Sequence, residues 1–186
     1  MPLSHFSKVY SVEDAKLDKI TADPAGGSTT HGTLYDVPGI QEAGLEGDVN
    51  VASLRGDNVE LDVTTTLSSV TLSVTHAKVH LDVLGAILGG AVTDAGVAPN
   101  QTAEWLLTDP SFGAFRFRGI TPANGSDFIG GAVLLTAYKC VLASFPNLGF
   151  AQEDYRIASF TARCFKRLSD GKHVAETFQE TRIAIA

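Results

Sequence analysis

Sulfur, tryptophan and charge are all scarce in this 186-residue chain. It holds two cysteines, one methionine and one tryptophan. Two cysteines make no disulfide framework, and Cys140 and Cys164 do not form a Cys-x-x-Cys pair, so the zinc and dithiol motifs built on that spacing are excluded. Both sit in apolar, strand-like runs and are expected as buried free thiols. Charged residues amount to 19%, below the usual ~25%, which fits a protein that turns part of its surface toward other protein. A basic excess is missing too. The net charge is −7, which argues against a nucleic-acid binder held by phosphate neutralisation. No run approaches the roughly 18 apolar residues of a membrane span. The first twenty residues contain Glu13 and Asp14 and no apolar stretch, so no signal peptide is expected and synthesis is placed in the cytoplasm.

Recognisable catalytic chemistry is also lacking. His76 and His80 have the four-residue spacing of a zinc pair on a helix, but the catalytic Glu of a His-Glu-x-x-His motif is absent and Ala-Lys-Val stands between them. Arg55-Gly56-Asp57 reads as a tight turn or bulge rather than an adhesion signal. The chain has no Gly-x-Ser-x-Gly and no phosphate-cradling glycine loop. Glu153 and Asp154 are adjacent, which on a strand points them to opposite faces and makes a poor acid/base pair. Arg116 and Arg118 share one strand face and are expected to be solvated or to meet another subunit. The expectation is a protein that is not an enzyme, with no catalytic residues, cofactor or metal.

What is present is a strand pattern. Hydrophobic residues make up 44% and glycines number 18, enough to bury the core of a single domain. Val59, Leu61 and Val63 alternate with Glu60 and Asp62; Val70, Leu72 and Val74 alternate with Thr71 and Ser73. The apolar phase shifts from odd to even numbers between them, so a turn or bulge must lie across residues 64–69. One helix is expected over residues 80–89, stopped by Gly89-Gly90. Residues 91–101 read as a loop, and residues 131–144 as a long strand apolar on both faces. Asp170-Gly171 signals a hairpin between two further strands. A polar loop, residues 21–32, is long enough to be mobile or used. The expected fold is mainly β, a sandwich or barrel of about eight strands with one flanking α-helix, in one domain spanning residues 1–186. Charge is uneven: residues 1–64 carry eleven acids against four bases, and the rest is balanced.

The order of segments is informative. LRGDNVELDV precedes SVTLSVTHAKVHLDVLGAILGG; a long apolar strand, AVLLTAYKCVLASFPN, then leads to FAQEDYRIASFTARCF and the Asp-Gly turn. This order resembles the major tail protein, or tail tube subunit, of long non-contractile-tailed bacteriophages, whose fold is shared by the type VI secretion tube protein. The resemblance covers about residues 35–185. It implies a virion structural protein assembled in the bacterial cytoplasm. Its subunits would form hexameric rings, stacked through an N-terminal arm, a long loop and a C-terminal arm into a tube with an acidic lumen. Implied partners are further copies of the chain, a tape measure protein, a tail terminator, and DNA passing through without sequence-specific binding; no membrane is implied. Glu60 and Asp62 are the expected lumen-facing residues, on the premise that they share one face while Val59, Leu61 and Val63 pack into the core. Pro24, Gly26, Gly27, Ser28 and Thr29 are the expected inter-ring contacts, with the chain ends. The alternatives are another ring protein of tail or secretion systems with a related fold, or an unrelated all-β ligand-binding barrel or enzyme.

Overall fold

A computed structural model describes residues 8–9, 11–57, 59–78, 80–108, 111–124, 130–149, 152 and 157–185. The chain is mainly β, as expected, with one helix among the described residues. In order it forms β1 (Lys8–Val9), β2 (Asp14–Ala22), β3 (Thr30–Asp36), β4 (Ile40–Gly56), β5 (Val59–His76), α1 (Leu81–Leu88), β6 (Ala91–Ala95), β7 (Thr102–Leu106), β8 (Phe115–Asn124), β9 (Ala132–Leu142), β10 (Ala158–Cys164) and β11 (Val174–Gln179). Nine strands join one sheet whose main path runs β3-β2-β8-β9-β10-β5-β4, and β6 and β7 form a separate hairpin. The strand count exceeds the expected eight because short, polar strands escape a reading based on alternation.

One core organises the sheet. Leu17 on β2, Leu72 and Val74 on β5, Phe115 and Phe117 on β8 and Phe160 on β10 join Val83, Leu84, Ile87 and Leu88 of α1 in a single buried cluster. Helix α1 packs against β2, β3 and β9, and residues of β5 and β10 join the same buried cluster, so one core unites both halves of the path. Helix α1 begins with Asp82 in its first turn, where a carboxylate suits the helix dipole. It ends as expected at Gly89 and Gly90, both with positive φ. Gly90 is also a close-approach site: a Cβ there would lie 2.5 Å from the Leu106 carbonyl oxygen. The Trp105 Nε1–H donates to the Gly89 carbonyl at 3.0 Å, fastening the β6–β7 hairpin to the helix end. Strand β6 occupies the first part of the loop expected at 91–101; its mostly exposed residues carry no apolar alternation.

The Asp170-Gly171 turn forms, with the Gly171 N–H donating to the Arg167 carbonyl at 3.0 Å. The strands it separates do not pair with each other, contrary to the expected hairpin. Instead β10 pairs with residues 140–142 of β9 and β11 with residues 132–137, end to end along the β9 edge that faces away from β8. A turn signal fixes a local reversal and leaves partner choice to the sheet.

Candidate assembly surface

Strands β4 and β5, with 17 and 18 residues, pair over almost their whole length. Their proximal part belongs to the core, whereas the distal part, beyond Val70, runs out as a two-stranded ribbon exposed on both faces. The expected phase shift is present as a bulge. Asp48 faces Ser69 and Val49 faces Leu67, which leaves Ser68 unpaired. Residues directly opposite share a face. Odd-numbered Leu67 is thereby brought onto the same side as even-numbered Val70, Leu72 and Val74. The core face of the sheet continues past the subunit's own core as Val49, Val51, Val63 and Leu67, which are 49–62% exposed.

Two expectations about this strand are corrected. Val59, Leu61 and Val63 do not pack into the core; they are exposed, on the part of β5 that runs out beyond the buried Val70, Leu72 and Val74. Glu60 and Asp62 do not share a face. A second register shift leaves Leu61 unpaired, placing Asp62 opposite Leu54 and Glu60 opposite Arg55. Leu54 and Arg55 are successive on β4 and point to opposite sides, so Asp62 lies on the side away from the core and Glu60 on the apolar side. Both are exposed.

The side away from the core carries a row of acids and hydroxyls as far as Asp62, with Leu54 and Val59 exposed on it at the ribbon tip. Glu42 stands opposite Thr75, Glu46 opposite Thr71, Asp48 opposite Ser69 and Asp62 opposite Leu54. All four carboxylates are exposed, and the Ser69 hydroxyl donates to Asp48 at 3.0 Å. Arg163 joins this face through β10, opposite Thr71. The acid excess of residues 1–64 signalled this row, but only the pairing register shows that Glu42, Glu46 and Asp48 accompany Asp62.

The expected inter-ring loop is shorter than the sequence suggested. Strands β2 and β3 occupy both flanks and leave residues 23–29 as the turn. Pro24, Gly26, Gly27 and Ser28 are exposed, whereas Thr29 is partly buried against its own subunit, its hydroxyl 2.6 Å from that of Ser169. Asp23 anchors the turn. Its carboxylate accepts from Lys139 Nζ at 2.8 Å, Leu168 N–H at 2.9 Å, Ser169 N–H at 3.1 Å and the Thr29 hydroxyl at 3.3 Å. The Lys139 hydrogen bond, followed by that from Leu168, holds its pKa well below the ordinary carboxylate range. Arg167, in the Asp170-Gly171 turn, stacks over Tyr138 at 4.5 Å.

Arg116 and Arg118 do not form the expected solvated or intersubunit face. Asp18 lies opposite Arg116 in the β2–β8 ladder and is buried. It accepts a bidentate hydrogen bond from Arg116, sits 3.5 Å from Arg118 and meets His31 Nδ1 at 3.0 Å. Burial lowers the Arg118 pKa, and Arg116 lowers it further. Burial, then Arg116, also lowers the pKa of His31.

The described C-terminal residues lie on their own subunit: Ile185 is buried beside Ile120 and Ala132, and Arg182 pairs with Glu13. Ile183 is exposed. Residues 1–4, Glu153, Asp154 and Ala186 lie outside the described residues. His76 is buried edge-on to Phe160, and His80 is the residue preceding α1. Among the described residues no group of three His, Cys, Asp or Glu side chains is placed to hold a metal, and no helix is long and apolar enough to cross a membrane. No model of a known family matches the chain, and no curated protein matches it.

Proposed function

We propose that this chain is the subunit of a phage tail tube, forming hexameric rings that stack and conduct DNA during ejection. The observation that carries the reading is the β4–β5 ribbon. Its core-side face leaves Val49, Val51, Val63 and Leu67 in water, an arrangement suited to burial against another protein. The sheet supports the same reading. Its path ends at β3 and β4, and among the described residues neither outer edge has a partner. Unpaired edges are templates for strand addition, and joining one edge to the different edge of the next copy is a head-to-tail contact that closes into rings.

The hydrophilic side of β4–β5 supplies the lumen wall in this reading. Glu42, Glu46, Asp48 and Asp62 repel phosphate, the neighbouring Ser and Thr hydroxyls carry no charge, and the four carboxylates outnumber Arg163 on that face. Glu60 leaves that assignment because it belongs to the apolar side. The exposed tip of the 23–29 turn, Pro24 to Ser28, is the ring-to-ring contact, held rigidly by Asp23. The tape measure protein, the tail terminator and residence in the virion tail belong to the same proposal.

Sedimentation velocity and negative-stain microscopy of the purified protein test it. Rings or tubes of uniform diameter are expected. A small monodisperse species at high concentration, with no rings under any condition, overturns the reading in favour of an isolated β domain.

A further inference from the structure

Cys140 and Cys164 face each other across the β9–β10 ladder, with their sulfurs 3.3 Å apart. Both point into the core. The ladder fixes which kind of pair they form. The Phe165 N–H donates to the Lys139 carbonyl at 2.7 Å and the Ala143 N–H to the Thr161 carbonyl at 2.8 Å. Residues 139/165 and 143/161 are therefore hydrogen-bonded pairs. Alternation makes 140/164 a non-hydrogen-bonded pair, the closer kind, with Cα atoms about 4.5 Å apart. That separation is within the span a disulfide bridges.

Access differs between the two sulfurs. Cys140 is fully enclosed, while Cys164 borders an open pocket of about 380 Å³ shared with Ser68, Ser69, Arg163, Lys166 and His173.

We propose that Cys140 and Cys164 are a modification site, oxidised by a small hydroperoxide to an intrachain disulfide. Cys164, as thiolate, attacks one peroxide oxygen. The S–O bond forms, the O–O bond breaks, and the departing oxygen leaves as water after taking a proton. Cys140 then attacks the sulfur of the Cys164 sulfenic acid. The S–S bond forms, the S–O bond breaks, and a second water leaves with the proton from Cys140. Two thiols and one hydrogen peroxide become one disulfide and two waters, each sulfur giving up one electron. Adjacency of Cys140 intercepts the sulfenic acid before further oxidation. The order of attack agrees with the contact between the two sulfurs, which lowers the thiol pKa of Cys164 and, with burial, raises that of Cys140.

The test uses the whole reduced protein and hydrogen peroxide, with thiols counted in denaturant and the intact mass measured. The expected result is a fall from two thiols to none per chain, a mass loss of two hydrogens, monomer mobility on a non-reducing denaturing gel, and full reversal by dithiothreitol. In Cys140→Ser the remaining Cys164 should instead gain oxygen and be trapped by dimedone. Persistence of both wild-type thiols under peroxide that oxidises a peptide thiol overturns the proposal. So does oxygen addition without disulfide, or a bond between chains. The wild-type measurements decide the matter even where the variant fails to fold.

Discussion

Glu60 and Asp62 are two residues apart on β5 yet point to opposite faces of the ribbon, because Leu61 between them has no partner on β4. The bulge at Ser68 acts with this one. Ser68 carries the apolar face of the sheet outward beyond the core, and Leu61 ends that face with the Arg55–Glu60 pair. Two unpaired residues thus place Val49, Val51, Val63 and Leu67 on one face of the ribbon and Glu42, Glu46, Asp48 and Asp62 on the other.

The apolar face yields the first prediction. Val51→Lys with Val63→Lys changes side chains that are already about half exposed in the subunit. Urea unfolding of the dispersed subunit should shift by no more than about 0.5 kcal/mol per site, as for ordinary surface changes. Rings and tubes should disappear in sedimentation and negative stain. Leu72→Ala is the contrast: Leu72 is fully buried, and its truncation should cost about 2–5 kcal/mol of subunit stability.

Much of the fold was legible because strand alternation and helix spacing are local signals. Val70, Leu72 and Val74 announced a core strand, and the phase shift ahead of them announced the bulge. Partner choice was not legible, since it depends on residues far apart in sequence. Asp170-Gly171 marked a reversal but not that β10 and β11 both serve β9. Glu60 and Asp62 alternated perfectly with Val59, Leu61 and Val63, and only the register against β4 separated them. The Arg116 and Arg118 pair looked solvated because Asp18, the carboxylate both approach, is 98 positions from Arg116.

Asp23 sets a pH dependence. Its pKa is lowered in the folded state from 3.8, first by Lys139 and then by the Leu168 N–H. A lowered carboxylate pKa contributes stability that is fully present above the unfolded value and is lost as pH falls through the folded one. Thermal stability should therefore decline from about pH 4 downward, and Asp23→Asn should be less stable at pH 7 with a flatter acid limb. Calorimetry across that range reads both effects. Deleting only residues 25–28 spares the anchor; the subunit should fold while ring stacking weakens.

Gly90 tests the junction between helix and hairpin. Its φ of 86° already disfavours a side chain, and a Cβ would collide with the Leu106 carbonyl. Gly90→Ala should destabilise by more than about 1 kcal/mol, read by urea unfolding. Trp105 fluorescence should report loss of its bond to Gly89 before the sheet melts.

The lumen assignment makes the most demanding prediction. DNA moving through a tube must not find strong phosphate partners, because each basic contact releases counterions and raises affinity steeply. Carboxylates on the wall act within a Debye length of roughly 8 Å at physiological salt. Glu46 and Asp62 belong to the hydrophilic side of β4–β5, whereas Glu60 stands opposite Arg55 on the other side. Glu46→Lys with Asp62→Lys should leave subunit folding and tube formation intact, since both residues are exposed. DNA release from the virion should slow, most strongly at low salt where screening is weakest. Glu60→Lys should behave differently. It sets two like charges opposite each other at the ribbon tip, costing about 0.2–1 kcal/mol, and should weaken assembly without slowing release from the tubes that do form. Comparing the release kinetics of the two variants over a salt series separates the faces. Equal slowing by both, or none by Glu46→Lys with Asp62→Lys, would place the acidic row away from the DNA path.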